Sequence, residues 1–318
     1  MAAPTHILSS AAGSRRSGWM PALLNRLRAF TAFLSVLFLA CQATERAPGE
    51  TRELDDFGVP VPSGAQAFNR IVSLNPTTTE ILFALGAGER LVGRSDWDQW
   101  PTAAWSVSAV GPGLRPNVEA VLSRDPDLVV LYASADNRGA AERMRAAGIV
   151  TISLKVDRVS DFRDAVRLLG GVTGLGNAAS ALVDSVDAVL RSVRAATAKA
   201  GRPTIFWHVW DAPIITIGQG SYLDELVEIA GAKNIYSDLR APSPQVALED
   251  VARRNPRFIL AGPVGAQVLA SDPRWQVVPA VAGGRILIVD TALVGRPSVN
   301  LGDAALSLAR LLHPRLGL

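Results

Sequence analysis

One cysteine and three histidines are all that this chain of 318 residues offers to thiolate or imidazole chemistry. Cys41 stands alone, so it can form neither an internal disulfide nor a cysteine-rich metal site. His6 lies near the amino terminus, His313 near the carboxyl terminus and His208 inside an apolar run, a spread unsuited to a multi-histidine zinc centre. His208 reads as a core histidine. The one dinucleotide-like pattern, Gly174-Leu175-Gly176-Asn177-Ala178-Ala179, would need a strand before it, whereas Phe162 to Leu169 reads as helix. No Walker loop or Gly-x-Ser-x-Gly elbow is present. The chain therefore presents no catalytic residue, no resident metal site and no cofactor motif, and an enzyme is not the expected class.

Cys41 has a different chemistry open to it. It follows the apolar run Ala29 to Ala40, which is preceded by Arg26 and Arg28. Such a run is too short for a bilayer, which needs roughly 20 residues, but suits the apolar region of a signal peptide. Phe38-Leu39-Ala40-Cys41 resembles a lipobox, in which the cysteine is lipidated and becomes the new amino terminus. Residues 1–41 are thus expected to be an export signal with a lipid-anchored Cys41, placing the folded part outside the cytoplasm. From Gln42 to Phe68 the chain is rich in Pro, Gly, Ala and acidic residues without a sustained period, and is expected to be a flexible tether. The charge balance is 32 basic against 29 acidic residues, with no basic block interleaved with aromatics, so nucleic acid is not an expected partner.

Beyond residue 68, short apolar runs alternate with helix-period segments. Arg70 to Leu74, Leu128 to Leu131, Ile149 to Leu154 and Thr204 to Val209 read as strands; Thr79 to Leu85 and Arg138 to Ala147 read as helices. That order predicts an α/β layer with a largely parallel sheet. The pattern also repeats. Val118 to Val130 (VEAVLSRDPDLVV) is echoed by Leu248 to Leu260 (LEDVARRNPRFIL), each a short helix with an early glutamate, a proline stop and a buried strand. A second echo pairs Thr79 to Gly93 with Asp224 to Tyr236, both running from helix through a Gly-Ala turn into an apolar segment. Two lobes are therefore expected, 69–175 and 202–318. Between them, 176–201 carries apolar residues at helical spacing, with Asn177 as candidate cap and Gly201 with Pro203 as stop. A helix of that size spans roughly 36 Å and makes a stiff connector.

Arg70 to Gly86 (RIVSLNPTTTEILFALG) and Leu91 to Trp97 (LVGRSDW) resemble the opening of the iron-siderophore and vitamin B12 periplasmic binding protein family. With the repeated glutamate-helix-proline-strand unit and the connecting helix, the resemblance covers residues 69–313 and is nearest to the vitamin B12-binding branch. It implies two Rossmann-like α/β lobes joined by one long helix, with the ligand in the cleft between them. It also implies a monomeric solute-binding protein of an ABC importer, capturing a metal chelate, most readily a corrinoid. By the same resemblance, Asn75, Pro76 and Thr77 enter the cleft, and Trp97 and Trp100 stand where aromatics pack on the flat ring. Trp210 follows the first strand of the second lobe, and Arg296 stands where the family often has a ligand-contacting arginine. Glu119 and Glu249 match the acidic residues that dock on the membrane permease. Trp207 and Trp275 are expected in the core. Ser243 stands where the vitamin B12-binding branch carries a tryptophan, which keeps a ferric siderophore or haem open as ligand. From other classes, an exported α/β enzyme or a tethered interaction module are the alternatives.

Overall fold

β1 (Ile71–Ser73) is short and buried throughout, as a strand covered on both faces must be. At its exit Asn75 is extended and accepts a hydrogen bond from the Thr77 N–H at 2.9 Å. Pro76 then supplies the preset first turn of α1 (Pro76–Ala84), so the helix starts earlier than the expected Thr79. β2 (Leu91–Arg94), α2 (Val118–Leu122), β3 (Leu128–Tyr132), α3 (Ala135–Ala146), β4 (Val150–Leu154) and α4 (Val159–Val172) complete the first lobe. Its strands are all parallel, in the order β2-β1-β3-β4.

α5 (Gly176–Thr197) is the connector. At 22 residues it is about 33 Å long. Val183, Val186, Leu190 and Val193 are buried along one face, and each such side chain contributes about 1.5–3 kcal/mol. That face packs on α4 and on the carboxyl-terminal helix, so one apolar core runs from the first lobe through the connector into the second. The expected cap is corrected: Leu175 precedes the helix without a side-chain cap, and Asn177 lies inside the first turn. The chain arrives directly from α4 through a turn at Gly174, whose φ of 72° is left-handed, and the Leu175 N–H donates to the Gly170 carbonyl at 2.7 Å.

The second lobe holds β5 (Thr204–His208), the small hairpin β6 (Trp210–Asp211) and β7 (Ile214–Ile215), α6 (Tyr222–Ile229), β8 (Lys233–Asn234) and α7 (Leu248–Arg254). β9 (Phe258–Ala261), α8 (Pro263–Ser271), α9 (Pro279–Ala282), β10 (Ile286–Ile288), α10 (Thr291–Val294) and α11 (Leu301–Leu312) follow. Its sheet is again parallel, β8-β5-β9-β10. Trp207 and Trp275 are buried, as expected.

This computed structural model describes residues 54–62 and 68–318. The expected signal segment with Cys41, and most of the expected tether, lie outside the described residues. Part of that tether is corrected. Asp55 is buried against the edge strand β4, where its carboxylate accepts from the Ser153 N–H at 3.0 Å and from the Arg145 guanidinium at 2.6 Å. The Asp56 N–H donates to the Ser153 carbonyl at 2.9 Å, so these residues cover an otherwise open sheet edge. A Pro/Gly-rich composition does not reveal that a single aspartate will find such partners.

Candidate ligand-binding site

Both sheets direct their carboxyl ends toward one cleft of about 720 Å³, the place where parallel α/β sheets bind ligands. From the first lobe it is lined by Asn75 and Thr77 after β1, Tyr132 at the end of β3, and Lys155 to Arg158 after β4. From the second it is lined by Val209 after β5, the segment Gln219 to Leu223 at the start of α6, Arg240, Ser243, and Gly295 to Pro297. A smaller hollow of about 400 Å³ lies under Pro203, Phe258 and His313. It sits at the amino ends of β5 and β9, where this class of sheet does not place its ligands.

The back of the cleft is an inter-lobe latch. Glu80 on α1 is fully buried, and its Oε1 accepts from Arg296 Nε at 2.8 Å and from Nη2. Burial pushes the Glu80 carboxyl above the usual carboxylate range, against the pull of Arg296. Beside it, the Thr77 hydroxyl donates to the Pro297 carbonyl at 3.1 Å, and the Val159 N–H donates to Glu225 Oε2 at 3.3 Å. Arg296 therefore lines the cavity while its guanidinium is held by a carboxylate of the opposite lobe.

The sequence-derived site residues divide into two groups. Asn75, Thr77 and Arg296 line the cavity, with the Asn75 side chain engaged as helix cap. Pro76 is the first residue of α1, beside this wall. Trp97, Trp100 and Trp210 are not among its lining residues; they stand 69%, 42% and 61% exposed on segments that leave the carboxyl ends of β2 and β5. The loop bearing Trp97 and Trp100 is pinned by buried Asp98, which accepts from the Thr79 hydroxyl at 2.6 Å and from the Ser95 hydroxyl at 2.6 Å. Glu119 and Glu249 are exposed, each the second residue of its short helix.

Several lining residues escaped the sequence reading. The Tyr132 hydroxyl donates to Asp157 Oδ1 at 2.8 Å, and burial with that carboxylate raises the phenol's pKa. Tyr222 is buried, with no hydrogen-bond partner for its hydroxyl among the described residues, and burial raises its pKa too. Burial likewise raises the Asp161 carboxyl. Tyr132, Lys155, Asp157 and Arg158 sit at or just beyond the carboxyl ends of β3 and β4, so the rule that selected Asn75 would have found them if applied to every strand. Among the described residues no group of three or more His, Cys, Asp and Glu could hold a metal ion.

Comparison with known proteins agrees. Residues 71–293 match the periplasmic binding protein family. The vitamin B12-binding protein of Vibrio cholerae serotype O1 is 24% identical over 239 residues, covering 74% of this chain and 86% of its own. An uncharacterized ABC transporter substrate-binding lipoprotein of Bacillus subtilis is 30% identical over 253 residues, 77% of this chain and 80% of its own. In fold, the crystal structure of the periplasmic vitamin B12-binding protein of Vibrio cholerae superposes with a TM-score of 0.67 at 24% identity, covering 78% of this chain and 97% of that one. The periplasmic haem-binding protein of the same organism gives a TM-score of 0.69 at 21% identity, covering 77% and 99%. All of these relatives are named as binding proteins. The chain belongs to the periplasmic binding protein family, an extracytoplasmic class of binding proteins with two α/β lobes.

Proposed function

We propose that this chain captures a metal chelate, foremost a corrinoid, in its inter-lobe cleft and delivers it to the permease of an ABC importer. The observation that carries the reading is the cleft itself, about 720 Å³ between the carboxyl ends of two parallel sheets, with exposed tryptophans on neighbouring segments. Trp97, Trp100 and Trp210 would cover a flat macrocycle from the rim, where rigid indoles give large contact area at little entropic cost. Asn75, Pro76, Thr77 and Arg296 would meet its edge. Glu119 and Glu249, one on each lobe, would set the orientation of docking on a basic permease surface. Lipidation of Cys41 would keep the monomeric carrier at the membrane. The vitamin B12-binding relatives support the corrinoid.

A second chelate class has its own support. Ser243, standing where the B12-binding branch carries a tryptophan, lines the cavity, and a haem-binding protein shares the fold. The test is tryptophan-fluorescence titration of the full chain in lipid nanodiscs with cyanocobalamin, haemin, a ferric hydroxamate and a ferric catecholate, corrected for ligand absorption and checked by calorimetry. Saturable one-to-one binding of cyanocobalamin alone, weakened by Trp97→Ala, is the expected result. Binding of an iron chelate alone would move the substrate to that class. Binding of none would remove the metal-chelate reading.

A further inference from the structure

Four cationic and two acidic side chains line the cleft: Lys155, Arg158, Arg240 and Arg296 against Asp157 and Asp161. Most are already engaged. Lys155 lies 3.4 Å from Asp157, and Asp157 also accepts the Tyr132 hydroxyl. Asp161 accepts the Asp157 N–H at 3.1 Å, and Arg296 is held by Glu80. Arg158 and Arg240 remain, without an ion pair to any described residue.

These two come from opposite walls. Arg158 follows β4 in the first lobe, and Arg240 follows β8 in the second. Arg158 reaches across the cleft: a Cβ placed on second-lobe Gly220 would lie 2.9 Å from its Nη2. Gly220 also has a φ of 89°, where a side chain is strained, so its backbone calls for glycine and leaves room for the guanidinium. Both side chains are exposed, so each guanidinium can turn toward an anion held in the cavity. The planar fork of arginine matches carboxylate and phosphate with paired hydrogen bonds.

We infer that Arg158 and Arg240 form a two-lobe clamp for an ionised acid group carried by the transported chelate. This rests on the solute-binding reading above and deepens it. The acid has two chemical sources, the phosphodiester of a nucleotide-bearing corrinoid or the carboxylates of an iron chelate. Either way the clamp reads charge at the chelate's edge, while the apolar face is left to other groups.

The experiment uses paired probes: cyanocobalamin against dicyanocobinamide, which lacks the whole nucleotide with its phosphodiester, and haemin against its dimethyl ester. Binding to the full chain in nanodiscs is measured by calorimetry at low and high salt, with empty discs as blank. The wild type should bind the acid-bearing member of one pair about 10- to 100-fold more tightly, and salt should shrink that preference. The double variant Arg158→Gln/Arg240→Gln should lose the preference and keep the affinity for the acid-free member. The pair that shows it identifies phosphodiester or carboxylate. Equal affinities within both pairs, or a double variant that keeps the preference, would overturn the clamp and leave the solute-binding reading standing. No binding of these probes, nor of the ferric hydroxamate and catecholate used above, to a cooperatively folding chain would overturn both.

Discussion

β1 and β5 occupy the same place in their sheets, and their contents differ. Val72 pairs with Val129 as Phe206 pairs with Ile259, and Ser73 with Val130 as Trp207 with Leu260. The turns repeat as well. Asp125 and Asn255 are both left-handed, at φ of 50° and 46°, immediately before Pro126 and Pro256. The Asp127 N–H donates to the Arg70 carbonyl as the Arg257 N–H does to Thr204. Yet the first lobe fills these positions with small residues and a hydroxyl, Ser73 Oγ lying 2.8 Å from Thr78 Oγ1. The second fills them with rings, Phe206 packing on Tyr236 and Trp275 at centroid distances of 6.1 and 5.9 Å. A shared topology thus needs the same turn chemistry, while the interior needs only to be filled.

The largest expected effect tests that difference directly. Phe206→Ala should cost about 3–5 kcal/mol of unfolding free energy, against about 2 kcal/mol for Val72→Ala at the matched position. Urea titration measures both, and equal losses would show that the ring at Phe206 adds nothing over the smaller Val72. Next, Glu80→Ala should cost about 3 kcal/mol by leaving Arg296 without its partner, read as a lowered urea midpoint.

One carboxylate from each lobe should also respond to pH with opposite sign. Burial holds Glu80 above its ordinary value of 4.5, so its contribution is full below the unfolded-state pKa and is lost as pH rises through the folded one. Arg254 holds Asp238 below its ordinary 3.8, so that contribution is present above the unfolded-state pKa and is lost as pH falls through the folded one. Hydrogen exchange on acidification should therefore show α1 gaining protection relative to α7, and Glu80→Gln should flatten the α1 trend. If both helices move together, the lobes are not separately titrated.

A smaller contrast lies in the caps. Asn117 accepts from the Glu119 and Ala120 N–H groups, whereas Ala247 offers its helix no side-chain cap. Asn117→Ala should cost about 1 kcal/mol, and Ala247→Asn should return a similar amount, both from thermal melts. Smallest in stability are Glu119→Ala and Glu249→Ala, expected within about 0.5 kcal/mol of wild type. Their effect should instead be on uptake in the native host, partial for each and near complete together. Full uptake by the double variant would remove the docking role.

Periodicity and turn residues were enough to read β1, β3, β4, β5 and β9, the connector and the repeated unit, because buried strands and helix stops leave local marks, whereas β10 went unread. Asp125-Pro126 and Asn255-Pro256 are such marks, visible without any fold. The cleft was legible only in part. Asn75 and Thr77 follow a strand, and any residue so placed faces the ligand side of a parallel sheet. Arg158 follows β4 in the same way, but nothing near it or Arg240 in the chain tells that 82 positions of separation will close to one cavity.

Local sequence thus settled the elements, their order and the family, because hydrophobic period and backbone preference act over a few residues. Which charges are engaged and which are free was settled by packing of the lobes. Glu80 holds the Arg296 guanidinium, Asp98 pins the tryptophan loop, and Asp55 draws part of the tether onto β4. Each of these joins residues distant in the chain, and a buried carboxylate takes whichever donor the fold brings to it.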